Sequence, residues 1–257
     1  LESITVHSIG LANTLGALTS AGVETSTLVV TGDTDLTITT ALDAKYDTVD
    51  ASAFTASLVV TGAATASTYT GGSDNDTITA GAGIDTIDGG AGNDIIVGGG
   101  GNDIVTGGAG NDTITTSTGN DNVTAGAGND IITISSGTDI VDAGAGNDVV
   151  DFGTADLTSL DTLAGGDGTD TVKMGATVDV DFTNVTGVET VSGAAAGTYV
   201  LGTLSEAAGV VNFTAAADGA YTVSASTSTK DMTINAIAPA NKADSYTTGS
   251  GDDTFIF

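Results

Sequence analysis

The chain has 257 residues, of which 40% are apolar, so it is long enough to bury a continuous core. Its 33 acidic residues against four basic ones give a net charge of -29, which argues against nucleic acid and anionic membrane surfaces as partners. The lack of cysteine excludes disulfide bonds, thiolate zinc sites and cysteine nucleophiles.

Residues 1–70 are predicted to form a β-rich module. Thr, Ala, Val, Gly and Asp dominate the whole sequence and the helix-favouring residues are few, so we expect an all-β protein. Alternation of apolar side chains, as at Leu36 and Ile38, indicates short strands. His7, the sole histidine, lies in one such strand without a nucleophile motif, and we expect it to be structural.

Residues 71–151 divide without insertion into nine nonapeptides, with Gly71 at position one of the first. Positions two and four are mostly glycine, position six is always aspartate and position eight is always isoleucine or valine. The position-six residues are Asp76, Asp85, Asp94, Asp103, Asp112, Asp121, Asp130, Asp139 and Asp148.

Beyond this block, residues 152–247 are predicted to form a second β-rich module. Alternating residues indicate strands around Val178, Val180 and Phe182, around Val211 and Phe213, and around Tyr221 and Val223. One further nonapeptide stands at residues 165–173, with Asp170 at position six. Residues 248–257 are predicted to start another repeat, with Asp253 at position six. Glu189 is expected to be a strand-end or turn residue rather than an acid/base catalyst.

The nonapeptide pattern predicts a parallel β-roll, in which two repeats form each coil. Glycine permits the left-handed turns, and position eight points inward. Adjacent coils are about 4.8 Å apart, so aspartates eighteen residues apart stack. The odd column comprises Asp76, Asp94, Asp112, Asp130 and Asp148, and the even column comprises Asp85, Asp103, Asp121 and Asp139.

Stacked carboxylates destabilise the metal-free block. Neighbours in a column repel by roughly 1 kcal/mol at the dielectric constant of water and about 3 to 4 kcal/mol at an effective value of 20. A hard divalent cation between turns reverses this effect, and calcium is favoured because it accepts six to eight oxygen ligands in flexible geometry. We therefore expect several Ca²⁺ ions and expect metal binding and folding to be one equilibrium.

The series resembles the RTX (repeats-in-toxin) nonapeptide G-G-x-G-x-D-x-U-x, where U is a large aliphatic residue. The resemblance implies a parallel β-roll, a right-handed β-helix, with calcium held by aspartate side chains and loop carbonyls. It also implies type I secretion followed by calcium-driven folding outside the cell. The candidate metal-site residues are the position-six aspartates named above with Asp170 and Asp253, together with Gly71, Gly89, Gly98, Gly107 and Asp74.

Departures from the motif favour the odd column. The sixth and eighth nonapeptides lack the paired glycines, and Asp74 replaces glycine at position four of the first. Asp170 and Asp253 have incomplete neighbours in the sequence. The asparagines at position five can serve the turns alone, so we assign them no direct metal role.

Two functions are consistent with this sequence, and neither makes the segment an enzyme. The composition of the flanks resembles RTX-type surface-layer (S-layer) proteins of Gram-negative bacteria, which implies a secreted, cell-surface lattice component that self-associates through calcium. The alternative is the calcium-folded export and stalk region of a large RTX adhesin or secreted hydrolase. Polysaccharide anchoring of the cell-surface protein is expected outside this segment, and no apolar run is long enough to predict a transmembrane segment.

Overall fold

The computed structural model describes residues 2–18, 26–153, 157–158, 160–174, 180–182, 184–193, 197–200, 210–215, 221–224, 231–236, 245–247 and 250–256. The chain divides into two units, residues 1–130 and residues 131–257. Each consists of short parallel strands, and the predicted all-β, parallel β-roll architecture is confirmed. Within the described part of the chain, no helix is long and apolar enough to cross a membrane.

Unit 1 contains two parallel sheets whose strands alternate along the chain. One sheet has the order β1-β3-β5-β7-β9-β11-β13 and the other the order β2-β4-β6-β8-β10-β12. The strands are β1 (Glu2–Ser8), β2 (Asn13–Leu15), β3 (Ser26–Gly32), β4 (Leu36–Ile38), β5 (Tyr46–Asp50), β6 (Leu58–Thr61), β7 (Thr68–Thr70), β8 (Thr77–Thr79), β9 (Thr86–Ala91), β10 (Ile95–Gly99), β11 (Ile104–Ala109), β12 (Thr113–Thr116) and β13 (Asn122–Ala127).

Unit 2 continues the same alternation and adds a third group of strands. Its sheet orders are β15-β17-β20, β14-β16-β18-β21-β23-β25-β27 and β19-β22-β24-β26. The strands are β14 (Ile131–Thr133), β15 (Ile140–Gly146), β16 (Val149–Asp151), β17 (Thr162–Gly168), β18 (Thr171–Met174), β19 (Val180–Asp181), β20 (Val185–Thr186), β21 (Thr190–Gly193), β22 (Gly197–Val200), β23 (Val210–Ala215), β24 (Tyr221–Ser224), β25 (Asp231–Ala236), β26 (Ser245–Thr247) and β27 (Thr254–Ile256).

The strands predicted from apolar alternation are present. Leu36 and Ile38 lie in β4, Val211 and Phe213 in β23, and Tyr221 and Val223 in β24. Val180 lies in β19 and Phe182 follows it, whereas Val178 falls outside the described residues.

Successive coils pair in register across the nonapeptides. Ile96 pairs with Ile78 on one side and Ile114 on the other, so the position-eight side chains stack and are buried. Position seven, for example Ile95, faces outward and is half exposed. The strand alternation therefore places positions six, eight and one of the next repeat inside each coil.

The strands of residues 1–70 pair directly with those of the nonapeptides. In unit 1, β6 pairs with β8 and β7 pairs with β9. Large apolar residues fill these earlier coils, including Leu28, Leu36, Tyr46, Phe54 and Leu58. In unit 2, the isolated repeat at residues 165–173 contributes to β17 and β18, which pair with β15 and β16. The predicted four-part domain division at residues 70, 151 and 247 remains a prediction.

Candidate metal centre

The position-six aspartates lie where each turn enters a strand, and their side chains point into the coil. All nine are at most 2% exposed, as are Asp161 and Asp170. Each is followed one residue later by the start of a strand and two residues later by the buried aliphatic residue. The strand period that buries position eight therefore also buries the carboxylate, which is normally unfavourable for a charged group without a partner.

In unit 1, one carboxylate oxygen of each position-six aspartate accepts a hydrogen bond from the backbone of the preceding coil. In the odd column of unit 1, Asp76 N donates to Asp94 Oδ1 over 2.7 Å, and Asp94 N donates to Asp112 Oδ1 over 2.8 Å. In the even column, Asp103 N donates to Asp121 Oδ1 over 2.9 Å. Because the donor is a backbone group eighteen residues away, these bonds fix the rotation of the carboxylate and the register of the coils together.

The second carboxylate oxygen lacks a hydrogen-bond donor at several of these positions. Within the described residues, Oδ2 of Asp94, Asp103, Asp112 and Asp170 is buried and accepts no hydrogen bond. A buried, unsatisfied charged oxygen costs several kcal/mol unless a positive group approaches it. The fold thus buries carboxylate oxygens whose negative charge is not compensated by a hydrogen-bond donor among the described residues.

The acidity of these groups reflects the same environment. Burial, reinforced by neighbouring aspartate charges, raises the pKa of Asp94 and Asp103 to about 6 and that of Asp112 to about 7. Burial likewise raises the pKa of Asp76 and Asp85. A raised carboxyl pKa means that the metal-free folded protein binds protons more tightly than the unfolded chain does, so a cation that binds there competes with protons increasingly as the pH falls.

Position-one glycines leave space beside the unpaired oxygen. A Cβ placed on Gly89 would lie 2.6 Å from both Asp94 Oδ2 and the carbonyl oxygen of Gly107. A Cβ on Gly107 would lie 2.6 Å from Asp112 Oδ2 and 2.5 Å from the carbonyl oxygen of Ala125. The strand pairing skips position one, since β9 and β11 pair at position nine and again at position two. At these two turns, a carboxylate oxygen and a carbonyl oxygen therefore approach the same point.

This donor set fits a calcium ion. All the converging atoms are oxygens, which suits a hard cation with many ligands and flexible geometry. Among the described residues, no three acidic or histidine side chains converge on one point, so backbone carbonyls would have to complete the coordination. The position-six Oδ2 atoms and the position-one carbonyls would hold the ion, which supplies the positive charge that compensates the buried carboxylates.

Comparison with protein-family models identifies the repeats. The model of the RTX calcium-binding nonapeptide repeat (4 copies) matches residues 70–105, 97–132, 106–141, 135–155 and 159–176. The chain contains RTX calcium-binding nonapeptide repeats. The predicted resemblance is therefore confirmed for these residues, and calcium is the ion that such repeats bind. No curated protein and no solved structure matches the chain.

The RTX turns require glycine where the backbone reaches positive φ. Gly90 and Gly92, at positions two and four of the third repeat, have φ of 102° and 124°. In the first repeat Asp74 occupies position four, and none of the described non-glycine residues has positive φ. The Asp74 side chain accepts a hydrogen bond from the backbone N of Asn75, over 2.8 Å, so one of its oxygens caps its own turn.

The predicted glycine sites differ in their surroundings. A Cβ on Gly71 would meet the carbonyl of Gly89 and lie 2.6 Å from Asp76 Oδ2, as at the other odd-column turns. Asp76 differs from the later aspartates because its Oδ2 accepts the N–H of Gly72 over 2.6 Å. In the even column, a Cβ on Gly98 would lie 2.9 Å from Asp103 Oδ2, with no carbonyl oxygen among its near neighbours.

The position-five asparagines form a separate hydrogen-bonded column. Asn93 N donates to Asn75 Oδ1, and Asn111 N donates to Asn93 Oδ1, both over 2.6 Å. These bonds run in the opposite direction to the aspartate bonds, because the later coil donates to the earlier one. The amide oxygens therefore serve the backbone, in agreement with the turn role expected from the sequence.

The RTX columns extend past the uninterrupted block in unit 2. Asp148 N donates to Asp170 Oδ1 over 2.9 Å across 22 residues, so Asp170 occupies the next odd-column position. Asp253 accepts a hydrogen bond from Met232 N over 3.0 Å, so its neighbour in the preceding coil is an apolar residue. Asp170 thus has an acidic neighbour, whereas the neighbour of Asp253 in the preceding coil is not acidic.

Two acidic residues of the columns were missed by sequence reasoning. Asp161 accepts a hydrogen bond from Asp139 N over 2.8 Å and so continues the even column. Glu189 accepts one from Asp170 N over 2.8 Å and continues the odd column. For Asp161, the signal available in the sequence was Leu163 two residues later, which repeats the spacing between positions six and eight.

Proposed function

We propose that this chain is part of a calcium-dependent structural protein of the bacterial cell surface, exported by type I secretion and folded by calcium outside the cell. The observation that carries the proposal is the set of buried Oδ2 atoms without hydrogen bonds at Asp94, Asp103 and Asp112. These carboxylates make the folded state depend on an external cation. The RTX repeats thereby act as a folding switch for the strands attached to them.

Calcium dependence suits export through a narrow channel. Where calcium is scarce and the pH is neutral, the repeats must bury ionised aspartates without compensation, so the unfolded chain is favoured. Where calcium is abundant, binding to the folded form alone shifts the equilibrium toward it. The chain would therefore leave the cell unfolded and acquire structure outside.

A structural role is supported by how the repeats join their flanks. In unit 1, β7 pairs directly with β9, so ordering of the first RTX coil also provides a pairing partner for the preceding strands. The outward faces of the strands carry half-exposed apolar residues at position seven, namely Ile95 and Ile104 in unit 1 and Ile131 and Ile140 in unit 2. Exposed apolar side chains repeated on strand faces favour contact with other subunits.

We further propose that the protein is a component of an S-layer lattice of a Gram-negative bacterium. In this proposal calcium promotes self-association, and residues outside this segment anchor the protein to cell-surface polysaccharide. The test is a calcium titration of metal-free protein, followed by circular dichroism for secondary structure and by light scattering and electron microscopy for assembly. We expect calcium to induce β structure and then ordered arrays that dissolve on chelation, whereas magnesium at the same concentration does neither.

The outcomes separate the parts of the proposal. Secondary structure that is indifferent to chelation contradicts calcium-dependent folding. Calcium-induced folding that leaves a monomer at all concentrations contradicts the lattice role and favours the export and stalk region of an RTX adhesin or secreted hydrolase.

A further inference from the structure

The ends of the two carboxylate columns in unit 2 differ in how the last aspartate is satisfied. In the even column, Asp161 Oδ2 accepts hydrogen bonds from Thr158 N over 2.8 Å and Thr158 Oγ1 over 3.1 Å. These two hydrogen bonds stabilise the Asp161 carboxylate without a cation. In the odd column, Asp170 is 1% exposed, and its Oδ2 has no hydrogen-bond partner among the described residues.

The surroundings of Asp170 Oδ2 reproduce those of the RTX turns in unit 1. A Cβ on Gly165 would meet the carbonyl oxygen of Gly187 and lie 2.7 Å from Asp170 Oδ2. A Cβ on Gly89 would likewise meet the carbonyl oxygen of Gly107 and the carboxylate of Asp94. Gly187 has φ of 63°, a conformation that glycine adopts readily. A carbonyl and an unpaired carboxylate oxygen thus converge here as they do within the repeats.

Glu189 supplies the second carboxylate of this arrangement. Its Oε2 accepts the N–H of Asp170, just as Asp170 Oδ1 accepts the N–H of Asp148 one coil earlier. The register pairs Thr171 with Thr190 and Val172 with Val191, so Glu189 lies directly opposite Asp170. Glu189 lies outside the residues that the RTX family model matches, which end at residue 176.

We propose that Asp170 Oδ2, the carbonyl oxygen of Gly187 and the carboxylate of Glu189 form a further calcium site, which closes the odd column at its C-terminal end. The site uses a glutamate and a turn that do not belong to a nonapeptide. The inference rests on the calcium-dependent folding proposed above, and it adds that calcium also orders the coil of residues 184–193, which contains β20 and β21.

The electrostatics support a cation at this position. Burial, together with the charges of Asp148 and Glu189, raises the pKa of Asp170 to about 6. Beyond this coil the register places Val211 and then Met232 after Glu189, so two apolar residues follow in the odd column before Asp253. A cation bound here would therefore occupy the last acidic step before these two apolar residues.

The test uses the wild-type chain, Glu189→Gln, Asp170→Asn and the control Asp142→Asn. Glutamine retains the acceptor for the Asp170 N–H and asparagine retains the acceptor for the Asp148 N–H, so each variant removes charge while preserving a coil-to-coil hydrogen bond. Asp142 is an exposed aspartate of β15 in the same unit and controls for the loss of one negative charge. Bound calcium is counted by equilibrium dialysis, and hydrogen exchange is followed by mass spectrometry with and without calcium.

We expect the wild type and the Asp142→Asn control to bind one more calcium ion than Glu189→Gln and Asp170→Asn. Calcium should slow exchange at residues 184–193 in the first pair only, while residues 85–121 are protected in all four proteins. Unchanged stoichiometry and unchanged protection of residues 184–193 in both variants would overturn the site. A wild type whose residues 85–121 gain no protection from calcium would refute the calcium-dependent folding and this site with it.

Discussion

Replacing Asp112 with asparagine should stabilise the metal-free protein and weaken its calcium binding at the same time. The substitution keeps an oxygen for the Asp94 N–H, which donates to Asp112 Oδ1 over 2.8 Å. It removes the charge from the buried oxygen that has no hydrogen-bond donor and places an amide group near the carbonyl of Ala125. The amide can donate to that carbonyl, so the neutral side chain suits the metal-free turn better than the carboxylate does.

The expected magnitude follows from the acidity of Asp112. Burial and the charges of Asp94 and Asp130 raise its pKa from 3.8 to about 7. Since a tenfold change in ionisation corresponds to about 1.4 kcal/mol, ionising this group in the metal-free fold costs roughly 2 to 4 kcal/mol. The sign follows from proton binding, because the folded state holds the Asp112 proton more tightly than the unfolded state does. The contribution of this group to stability is therefore complete below pH 3.8 and is lost as the pH rises through about 7.

The assay is the folded fraction of metal-free protein, followed by circular dichroism between about pH 5 and pH 8. At the upper end of this range, where the metal-free wild type is unfolded, Asp112→Asn should retain a larger folded fraction, because roughly 2 to 4 kcal/mol corresponds to a factor of about 30 to 900 in the folding equilibrium constant. At the lower end the wild type and the variant should converge, because Asp112 is then protonated. In calcium titrations the variant should need more calcium to reach the same folded fraction.

Asp88→Asn is the matched control, because Asp88 is an exposed aspartate of β9 and the substitution is chemically identical. Its effect on the free energy of unfolding should remain within about 0.5 kcal/mol. The reasoning is refuted if Asp112→Asn lowers the stability of the metal-free protein at neutral pH, as ordinary core damage does, or if its calcium affinity equals that of the control.

Three further outcomes are expected. Calcium affinity measured by calorimetry should rise between about pH 5.5 and pH 7.5 with release of protons, because the position-six carboxyls with raised pKa must ionise to bind the metal; an affinity independent of pH contradicts this. Gly92→Ala should destabilise the calcium-bound protein by roughly 1 to 3 kcal/mol, because φ is positive and the Cβ meets the backbone of the preceding coil. Gly100→Ala should change thermal stability little, because its Cβ would make only an ordinary contact with the Thr118 side chain. Ile96→Ala should cost about 2 to 5 kcal/mol in chemical unfolding, and the neighbouring Ile95→Ala, at a half-exposed position, should leave stability nearly unchanged but reduce calcium-induced light scattering.

The nonapeptide spacing was enough to predict the interior of the roll. An aspartate at position six and an aliphatic residue at position eight are separated by one strand period, so both must face the same side of the strand. Asp94 and Ile96 illustrate this, since both are fully buried. The prediction succeeded because it depended on local geometry that every repeat shares, and local geometry is the part of a fold that a short motif encodes.

The ends of the columns could not be predicted from the motif, because they are set by pairing between distant residues. Asp161 lies in a stretch without the glycine turn, and its coil is 22 residues long instead of eighteen. Glu189 changes the residue type as well, and its place opposite Asp170 is known only from the strand register. The different hydrogen bonding of the two Oδ2 atoms could not be predicted either. The sequence does not show that Thr158 donates to Asp161 Oδ2, whereas Asp170 Oδ2 has no hydrogen-bond donor among the described residues.

The two hydrogen-bonded columns together explain how the repeats can be organised before the metal binds. The asparagine bonds run from later to earlier coils and the aspartate bonds run from earlier to later coils, so each pair of coils is tied in both directions. The aspartate bond uses Oδ1 and thereby orients Oδ2 toward the position-one carbonyl, as at Asp94 and Gly107. Protons and calcium then compete for that same oxygen. The backbone thus sets the geometry of the site, and the competition between proton and cation sets whether the folded state is stable at a given pH.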